Sequence, residues 1–517
     1  MTKAIMIQGT GSGAGKSLIT AALCRIFSDQ GINVAPFKSQ NMALNSAITA
    51  EGGEIGRAQA LQARAARLEP TNDMNPILLK VSGESGSQVI IHGKVHATMK
   101  AREYYAFRDE AWKFVAESYK RLSQKHDLIV IEGAGSPAEI NLMDVDIVNM
   151  TMAKHAKAPV LLVGDIDKGG VFASLFGTVK LLGRDSRYIK GFVINKFRGD
   201  RAILDPGLDM IHERTGKPVI GVLPYIHDMG LPEEDGLALA KRSGVRSQES
   251  GARTIRVVVV RLKYISNFTD FDPFALEPGV EVVYSENPAE IENADLVIIP
   301  GSKNTVTDLL LLKEKHLDHS IKKAYEKGAQ VIGICGGYQM LGRRINDPHG
   351  AESHNKSVDG IGLLNIETLF AKEKTTCRVE AEVLKGFRGQ GPGSSMDQGA
   401  LKGYEIHMGT STGDIGLFRV TRVSQSAMVT DHDVRNPKSE IVLDGSKNKN
   451  CWGTYIHGIF DNDSFRQGII NQVRTAKGLS PFNSQVSYGE SQEQALDRLA
   501  AMVRDNLDMD FIQRMIA

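Results

Sequence analysis

Short apolar runs recur along the first half of the chain, and stretches with helical periodicity separate most of them. The runs lie at 4–8, 33–37, 127–131, 159–163, 191–194 and 219–223. Apolar runs of this length that alternate with helices are typical of buried strands in a parallel sheet. The pattern therefore predicts a doubly wound parallel α/β sheet, with ligand-binding residues at the carboxyl edge of its strands.

A second set of apolar runs begins after a polar stretch without apolar period at 241–252. The segments that follow are predicted as strands at 255–262, 280–284 and 296–299 and as a helix at 307–327. These elements predict a second α/β domain. The predicted division is a first domain at 1–235, a linker at 236–253, a second domain at 254–470 and a C-terminal helical extension at 471–517.

The C-terminal extension carries an apolar stripe at helical spacing. Its members are Leu496, Leu499, Met502, Val503, Leu507 and Ile512. A one-sided stripe of this kind needs a partner surface to cover it. We therefore expect a helix at 493–517 that packs back on the body of the protein.

The composition is that of an ordinary globular protein, with 42% hydrophobic and 24% charged residues among 517, and the length suits two or three domains. A net charge of +1 gives no long-range reason to expect nucleic acid or a membrane surface as a partner. The four cysteines form no Cys-x-x-Cys pair, which argues against a disulfide framework or a zinc site. No run approaches the roughly 18 apolar residues of a membrane span, and the chain enters its first strand directly, so we expect a cytoplasmic protein.

A glycine-rich loop lies between the first predicted strand and a predicted helix at 17–30. Its candidate ATP-binding residues are Gly9, Thr10, Gly13, Gly15, Lys16 and Ser17. Glycines let backbone N–H groups face phosphate oxygens, while the lysine reaches the outer phosphates and the serine hydroxyl ligates Mg2+. The spacing between Gly9 and Gly15 is longer than usual, and in this the loop resembles that of the dethiobiotin-synthetase-like ATPases.

Polar residues that directly follow the predicted strands are further candidates. Glu132 follows the strand at 127–131, and its carboxylate is suited to hold Mg2+ together with Ser17. Asn195 follows the strand at 191–194, and the resemblance to the same ATPases implies that it reads the adenine base. The residues alone leave a structural role for Asn195 open.

A lone cysteine lies in the stretch 331–340, which reads Val-Ile-Gly-Ile-Cys-Gly-Gly-Tyr-Gln-Met. An apolar strand, small residues around Cys335 and a following helix describe a nucleophile elbow. The alternative is a buried, unreactive cysteine, and a distant histidine would favour the elbow. His457 supplies that histidine at the end of another apolar run.

These residues resemble the class I glutamine amidotransferases, in which the cysteine attacks the glutamine carboxamide and the histidine shuttles protons. The resemblance implies that the backbone amides of Gly301, Ser302 and Gly336 form an oxyanion hole. Many members carry a glutamate two residues after the histidine, where this chain has Ile459. That departure matches the branch that serves cobalamin synthesis, and it leaves the group that orients His457 open.

Several further segments resemble the cobyric acid synthase family and together cover most of the chain. They lie at 37–46, 54–63, 74–80, 87–89, 165–172, 267–273 and 403–409. Because amide and cationic side chains suit a polyacidic substrate, the substrate-binding candidates are Lys38, Gln40, Asn41 and Gln59. Taken alone, the stretch 57–67 is interpreted as the solvent-facing side of a helix.

The residue pattern by itself indicates ATP-driven amidation of a carboxylate, with Mg2+ and with L-glutamine as the ammonia donor. The resemblance implies a corrinoid substrate, adenosylcobyrinic acid a,c-diamide, amidated at its b, d, e and g carboxylates to adenosylcobyric acid. One rival interpretation is a related amidotransferase that acts on another carboxylate, such as a cobyrinic acid a,c-diamide synthase. The other is a regulatory P-loop ATPase with an inactive glutaminase module, and the presence of both Cys335 and His457 argues against it.

Overall fold

The computed structural model of the protein describes residues 2–81, 86–226, 229–232, 254–350, 352, 355–384, 400–424 and 438–516. The predicted linker at 236–253 lies outside these residues. The chain divides into two compact units. The first unit comprises Met1–Ala43, Glu54–Leu231 and Glu490–Ala517, and the second comprises Leu44–Gly53 and Pro232–Gly489.

The first half of the chain alternates between strands and helices. Its strands are β1 (Lys3–Gly9), β2 (Val34–Phe37), β3 (Gln40–Met42), β4 (Ser46–Ile48), β5 (Glu54–Gly56), β6 (Ile77–Val81), β7 (Ser87–Ile91), β8 (Lys94–Met99), β9 (Leu128–Glu132), β10 (Val160–Asp165), β11 (Ile189–Phe197) and β12 (Val219–Pro224). Its helices are α1 (Lys16–Asp29), α2 (Arg57–Ala65), α3 (Ala101–Ala106), α4 (Arg108–Ser123), α5 (Met150–Ala156), α6 (Val171–Leu181) and α7 (Arg201–Thr215).

The main sheet of the first unit has the order β12-β11-β10-β1-β9-β2, and every neighbouring pair is parallel. Successive side chains of β1 point to opposite faces: Met6 joins the core on one side, and Ile5 and Ile7 join the core on the other. The predicted doubly wound parallel sheet is confirmed. It brings the ends of β1, β9, β10 and β11 to one edge.

A second, smaller sheet of the first unit has the order β3-β6-β7-β8. It is mixed, because β3 and β6 run parallel while β6-β7 and β7-β8 run antiparallel. The apolar pattern did not predict these strands. The sheet follows directly on β2 in the sequence, and its first strand carries two of the substrate-binding candidates, Gln40 and Asn41.

The second half of the chain contains the remaining elements. Its strands are β13 (Ile255–Val260), β14 (Ile265–Ser266), β15 (Val280–Ser285), β16 (Leu296–Ile299), β17 (Gly301–Ser302), β18 (Gln330–Ile334), β19 (Arg344–Asn346), β20 (Ser357–Asp359), β21 (Ile366–Val383), β22 (Leu401–Gly413), β23 (Phe418–Ser424), β24 (Lys438–Asp444), β25 (Ser446–Asn448) and β26 (Cys451–Thr454). Its helices are α8 (Asp272–Ala275), α9 (Pro288–Glu292), α10 (Thr305–Glu314), α11 (Leu317–Glu326), α12 (Gly336–Leu341), α13 (Asp463–Ala476), α14 (Tyr488–Asn506) and α15 (Met509–Ile516).

The central sheet of the second unit has the order β15-β13-β16-β18-β26-β25, with only the β25-β26 pair antiparallel. The predicted second α/β domain is thus observed. A further sheet, β20-β19-β21-β23-β24, also carries β22, which pairs with the long strand β21. Since β18 and β26 are adjacent and parallel, the residues that follow them, Cys335 and Tyr455, emerge at the same edge.

Two predicted helical stretches differ in the structure. The predicted helix at 307–327 is two helices, α10 and α11, because His316 adopts a left-handed backbone with φ 55°. The stretch 57–67 is not a solvent-facing helix side, since α2 buries Ala58, Gln59, Gln62 and Ala63.

The C-terminal helix is likewise divided, into α14 and α15. Its stripe is buried in the same core as Ile5 and Ile7 of β1, so the expected packing is observed within the first unit. Within the described part of the chain, no helix is both long enough and apolar enough to cross a bilayer.

Candidate active sites

The glycine-rich loop joins the end of β1 to the start of α1. Gly13 and Gly15 have φ values of 71° and 103°, which residues with a side chain rarely adopt. Lys16 bends back over the loop, and its Nζ donates to the carbonyl of Gly11 at 2.9 Å and to that of Gly135 at 3.1 Å. The loop therefore has the curled backbone and the inward lysine that a phosphate site requires.

Asn195 lies against this loop. Its Nδ2 donates to the carbonyl of Ala14 at 2.9 Å, and a Cβ on Gly15 would come within 2.0 Å of the same nitrogen. A second residue, which the sequence did not single out, completes this side: Lys196 Nζ donates to the Gly13 carbonyl at 2.6 Å and to Asp165 at 2.8 Å. The structure thus brings Asn195 to the loop.

The carboxylate of Glu132 is the centre of a buried polar group, with only 1% of the residue exposed. Its Oε1 accepts from Ser17 Oγ and from Lys38 Nζ, both at 2.8 Å. Its Oε2 accepts from Gln59 Nε2 at 3.1 Å and from Gln62 Nε2 at 2.5 Å. Donors on both oxygens fix the orientation of the carboxylate. Sequence reasoning missed Gln62, which lies on the same face of α2 as Gln59.

The other substrate-binding candidates differ in how they connect to this group. Asn41 Nδ2 donates to Gln59 Oε1 at 2.8 Å, so Asn41 is one contact away from Glu132. Gln40 instead accepts from the hydroxyl of Tyr104. The structure therefore assembles Lys38, Asn41 and Gln59 around Glu132 and leaves Gln40 outside the group.

The oxygen donors of Ser17 and Glu132 fit a magnesium site of the kind completed by substrate phosphates. Hard oxygen ligands suit Mg2+, which in nucleotide sites takes one or two protein oxygens besides phosphate and water. Among the residues that the structure describes, no group of three or more His, Cys, Asp or Glu side chains could hold a metal ion.

The nucleophile elbow lies between β18 and α12. Cys335 has φ 53° and ψ −110°, a strained backbone that a sharp strand-to-helix turn imposes. Its N–H donates to the carbonyl of Thr454 at 2.8 Å, and its Sγ lies 3.4 Å from the carbonyl of Ile406. Two glycines follow the cysteine, and the second is needed for the turn, because a Cβ on Gly337 would lie 1.9 Å from the Ile299 carbonyl oxygen.

The residues expected for the oxyanion hole meet at this elbow. A Cβ on Gly336 would lie 2.9 Å from the amide nitrogen of Ser302. A Cβ on Gly301 would lie 3.2 Å from Cε1 of His457. Strand β17 is therefore in close contact with the elbow and with the ring of His457. The absence of a side chain at Gly301 and Gly336 permits this approach.

Asp270 orients His457. Its Oδ2 lies 2.6 Å from His457 Nδ1, and both side chains are buried. Burial alone would lower the pKa of His457, but the Asp270 carboxylate and Cys335 outweigh it and raise that pKa to about 10. Ile459, which stands at the usual glutamate position, is instead buried in the apolar core. Sequence reasoning missed Asp270, although it lies within the family-like segment at 267–273.

The ring of His457 has further neighbours. The Tyr404 ring stacks on it at 5.3 Å between centroids. The Nδ2 of Asn267 lies 3.4 Å from Nδ1 and 3.5 Å from Nε2 of the histidine. The imidazole is thus held by a carboxylate, an aromatic face and an amide.

The other three cysteines have no comparable surroundings. Burial raises the pKa of the Cys24 and Cys451 thiols, and it raises that of Cys377 to about 12. A protonated thiol is a poor nucleophile. Cys335, by contrast, is close enough to a histidine to help raise the pKa of that histidine, His457.

Comparison with known proteins matches two domain families. The family described as CobQ/CobB/MinD/ParA nucleotide binding domain matches residues 5–238. The family described as CobB/CobQ-like glutamine amidotransferase domain matches residues 256–465.

Curated relatives that are named cobyric acid synthase match along nearly the whole chain. The protein of Thermodesulfovibrio yellowstonii is 47% identical over 99% of this chain and 98% of its own length. That of Thermoanaerobacter sp. is 49% identical over 98% of each chain. That of Sorangium cellulosum is 48% identical over 99% of this chain and 98% of its own length.

Proposed function

This chain belongs to the cobyric acid synthase family, and from that premise we propose that it amidates the b, d, e and g carboxylates of adenosylcobyrinic acid a,c-diamide. It is an ATP- and glutamine-dependent amidating enzyme of cobalamin biosynthesis. The observation that carries the substrate assignment is the near-full-length match to relatives named cobyric acid synthase. An assembled site in each unit supports it.

In the second unit, Cys335 and His457 would release ammonia from glutamine. The Cys335 thiolate attacks the carboxamide carbon, and the backbone N–H groups of Ser302 and Gly336 face the oxyanion that forms. His457 then gives its proton to the leaving nitrogen, so that a thioester and ammonia result. Water, deprotonated by the same imidazole, attacks the thioester carbon, which releases glutamate and restores the thiolate and the imidazolium. Asp270 keeps Nδ1 protonated and the ring in place.

In the first unit, the glycine-rich loop would bind ATP. Backbone N–H groups of the 9–15 loop and Lys16 hold the phosphates, and the same lysine offsets charge that develops on the transferred phosphoryl group. A substrate carboxylate oxygen attacks the γ-phosphorus and displaces ADP. Ammonia then attacks the acyl phosphate, and inorganic phosphate leaves in place of a poor hydroxide leaving group.

Mg2+ would be held by Ser17 Oγ and the Glu132 carboxylate together with phosphate oxygens. When bound, it supplies charge neutralisation at the β- and γ-phosphates. The protein's own part is to orient the Glu132 carboxylate, which the donors from Lys38 and Gln59 support.

The acceptor side of the site is proposed to include Lys38, Gln40, Asn41 and Gln59. A polyacidic corrinoid needs cationic and amide groups close to the phosphate loop. Asn195 is proposed to read the adenine, as the resemblance to the dethiobiotin-synthetase-like ATPases implies.

Mass spectrometry of reaction products tests this proposal. The protein is incubated with adenosylcobyrinic acid a,c-diamide, ATP, Mg2+ and glutamine, and each amidation replaces a hydroxyl by an amino group. We expect a ladder of intermediates that ends at adenosylcobyric acid, with no product when ATP or the nitrogen donor is omitted. A parallel incubation contains cobyrinic acid in place of the diamide. Amidation of that acid at the a and c positions, with no ladder from the diamide, would overturn the assignment in favour of the related diamide synthase.

A further inference from the structure

Residues 44–53, which we call the arm, follow β3 in the sequence but belong to the second unit. The arm contains β4 and a turn in which Thr49 N donates to the Gly53 carbonyl at 2.8 Å. Three of its polar residues are buried: Asn45 is only 1% exposed, and Ser46 and Thr49 are buried as well. Buried polar groups of this kind need specific partners.

The partners of the arm are the residues that surround the catalytic histidine. Asn45 Oδ1 accepts from the backbone N–H of Phe268 at 3.2 Å. The N–H of Ser46 donates to Asn267 Oδ1 at 3.0 Å, and the carbonyl of Ser46 accepts from the hydroxyl of Tyr404 at 3.4 Å.

Each of these partners contacts His457 or adjoins the acid that orients it. Asn267 places its other amide atom, Nδ2, against both ring nitrogens of His457. Phe268 stands two residues before Asp270. Tyr404 stacks on the imidazole and exchanges backbone hydrogen bonds with the same residue, from its own N–H to the His457 carbonyl at 3.1 Å and back at 2.8 Å.

Asn267 itself requires support. Its φ of 51° is left-handed, a conformation that non-glycine residues keep only when their surroundings hold it. The hydrogen bond from Ser46 to Asn267 and the neighbouring one from Phe268 to Asn45 supply that support. An apolar cluster of Ile48 with Tyr404 and Ile406 anchors the arm beside them.

The arm is also the direct continuation of the strand that carries substrate-binding candidates. Asn41 of β3 belongs to the group around Glu132 in the first unit. Asn45, four residues later, belongs to the group around His457 in the second.

We propose that the arm positions the residues that hydrolyse glutamine. Asn45 and Asn267 are the positioning residues, and they hold His457 and Asp270 in the orientation that glutamine hydrolysis requires. The inference rests on the proposed division of chemistry between the two units. It adds that glutamine hydrolysis requires a segment that lies outside the matched amidotransferase domain, at 256–465, and that is encoded within the nucleotide-binding half of the sequence.

The experiment compares full-length Asn45→Ala, Asn267→Ala and the double variant with the wild type. Glutamate release from glutamine is measured as kcat and KM over a range of pH, and amidation is measured separately with ammonium chloride. We expect kcat for glutamine hydrolysis to fall on the order of tenfold to hundredfold, as for a displaced catalytic group, with little change in KM. Since both residues act through His457, the losses of the two single variants should not add in the double variant.

Two further readouts separate positioning from general stability. The alkaline limb of the pH profile should move to lower pH, because a loosened Asp270–His457 pair holds the imidazolium less well. Amidation with ammonium should remain at the wild-type level. Asn293→Ala is the matched control, since Asn293 is an exposed asparagine of the same unit whose amide donates to the carbonyl of Ala289 at 2.8 Å, and it should leave every rate unchanged.

The inference fails if Asn45→Ala hydrolyses glutamine with the wild-type kcat and pH profile. It also fails if the rates of glutamine hydrolysis and of ammonium-dependent amidation decrease to the same extent in these variants, since that result indicates a folding defect. Failure of the proposed function has a different signature: the wild type itself would then form no amide from ammonium and ATP.

Discussion

At the scale of single residues, the charge of His457 is decided by its two partners. The ring is 1% exposed, and burial acts against a charged imidazole. The Asp270 carboxylate and Cys335 reverse that effect and raise the pKa of His457 from the ordinary 6.5 to about 10. A proton that stays on the imidazole through neutral pH is available to the leaving ammonia.

Asp270→Asn should impair glutamine hydrolysis and change its pH dependence. Loss of the carboxylate removes the group that orients the ring, so kcat should fall by about 10²- to 10⁴-fold, as for a triad that loses its acid. The pKa of His457 should also drop toward its ordinary value, which moves the alkaline limb of the rate profile to lower pH. A pH series of glutamate release measures both effects, and an unmoved alkaline limb would contradict the role given to Asp270.

The same pair should also contribute to stability in a pH-dependent way. The folded-state pKa of His457 lies above the unfolded value, so the favourable contribution is complete below about pH 6.5 and is lost as the pH rises toward 10. In Asp270→Asn this dependence should be weaker. Urea unfolding of the wild type and the variant at several pH values between these limits would reveal it.

Cys335 and His457 could be predicted from the sequence because each stands in a short motif with a recognisable strand and turn. Asp270 could not be assigned, because it lies 187 residues before His457 and the usual signal, an acid two residues after the histidine, is absent. The local sequence pattern predicts the secondary structure of a segment. It does not predict which distant segment supplies a hydrogen-bond partner.

Gly337 offers a test of the elbow at a single atom. A Cβ at this position would lie 1.9 Å from the backbone oxygen of Ile299, a contact that only movement of the backbone could relieve. We expect Gly337→Ala to displace Cys335 and to abolish glutamine hydrolysis while amidation with ammonium continues. Gly177→Ala is the control, because its Cβ meets nothing within 4 Å in helix α6, and it should be neutral or slightly stabilising.

At the scale of elements, the sequence predicted those strands whose apolar runs are long and continuous. The six strands of the first main sheet and the core strands of the second unit belong to this class, since burial on both faces requires apolar residues at every position. The small sheet β3-β6-β7-β8 escaped prediction. Its first strand has three residues and pairs with Ile77–Leu79, far along the chain, so neither length nor local period indicates it.

The C-terminal helices are part of the first unit's core. Leu499 is 2% exposed and shares a core with Ile5 and Ile7 of β1. Leu499→Ala should lower the free energy of unfolding of this unit by about 2–5 kcal/mol, the usual cost of a cavity left by a buried leucine. Ile203→Ala is the control, because Ile203 is 81% exposed in α7, and it should change the free energy by less than about 0.5 kcal/mol. Urea unfolding followed by circular dichroism compares the two, and equal midpoints would contradict the packing.

At the scale of the whole molecule, each chemistry is assembled inside its own unit. The phosphate loop with Lys16 and Glu132 lies in the first unit, and Cys335 with His457 and Asp270 lies in the second. These two sets have no side chain in common. Loss of one set should therefore leave the other chemically competent, which makes the division of labour testable with single substitutions.

Lys16→Ala and Cys335→Ala should divide the overall reaction into its two halves. Lys16→Ala removes the cation that would hold the ATP phosphates, so amide formation should cease with either glutamine or ammonium, while glutamate release continues. Cys335→Ala removes the nucleophile, so amide formation should cease with glutamine and persist with ammonium, because the acyl phosphate still forms. Parallel assays of glutamate, ADP and corrinoid amide distinguish the variants. Amide formation by Lys16→Ala from ammonium would contradict the role given to the phosphate loop. Loss of amide formation from both glutamine and ammonium in Cys335→Ala would contradict two separable sites, since amide formation would then depend on a residue of the other unit.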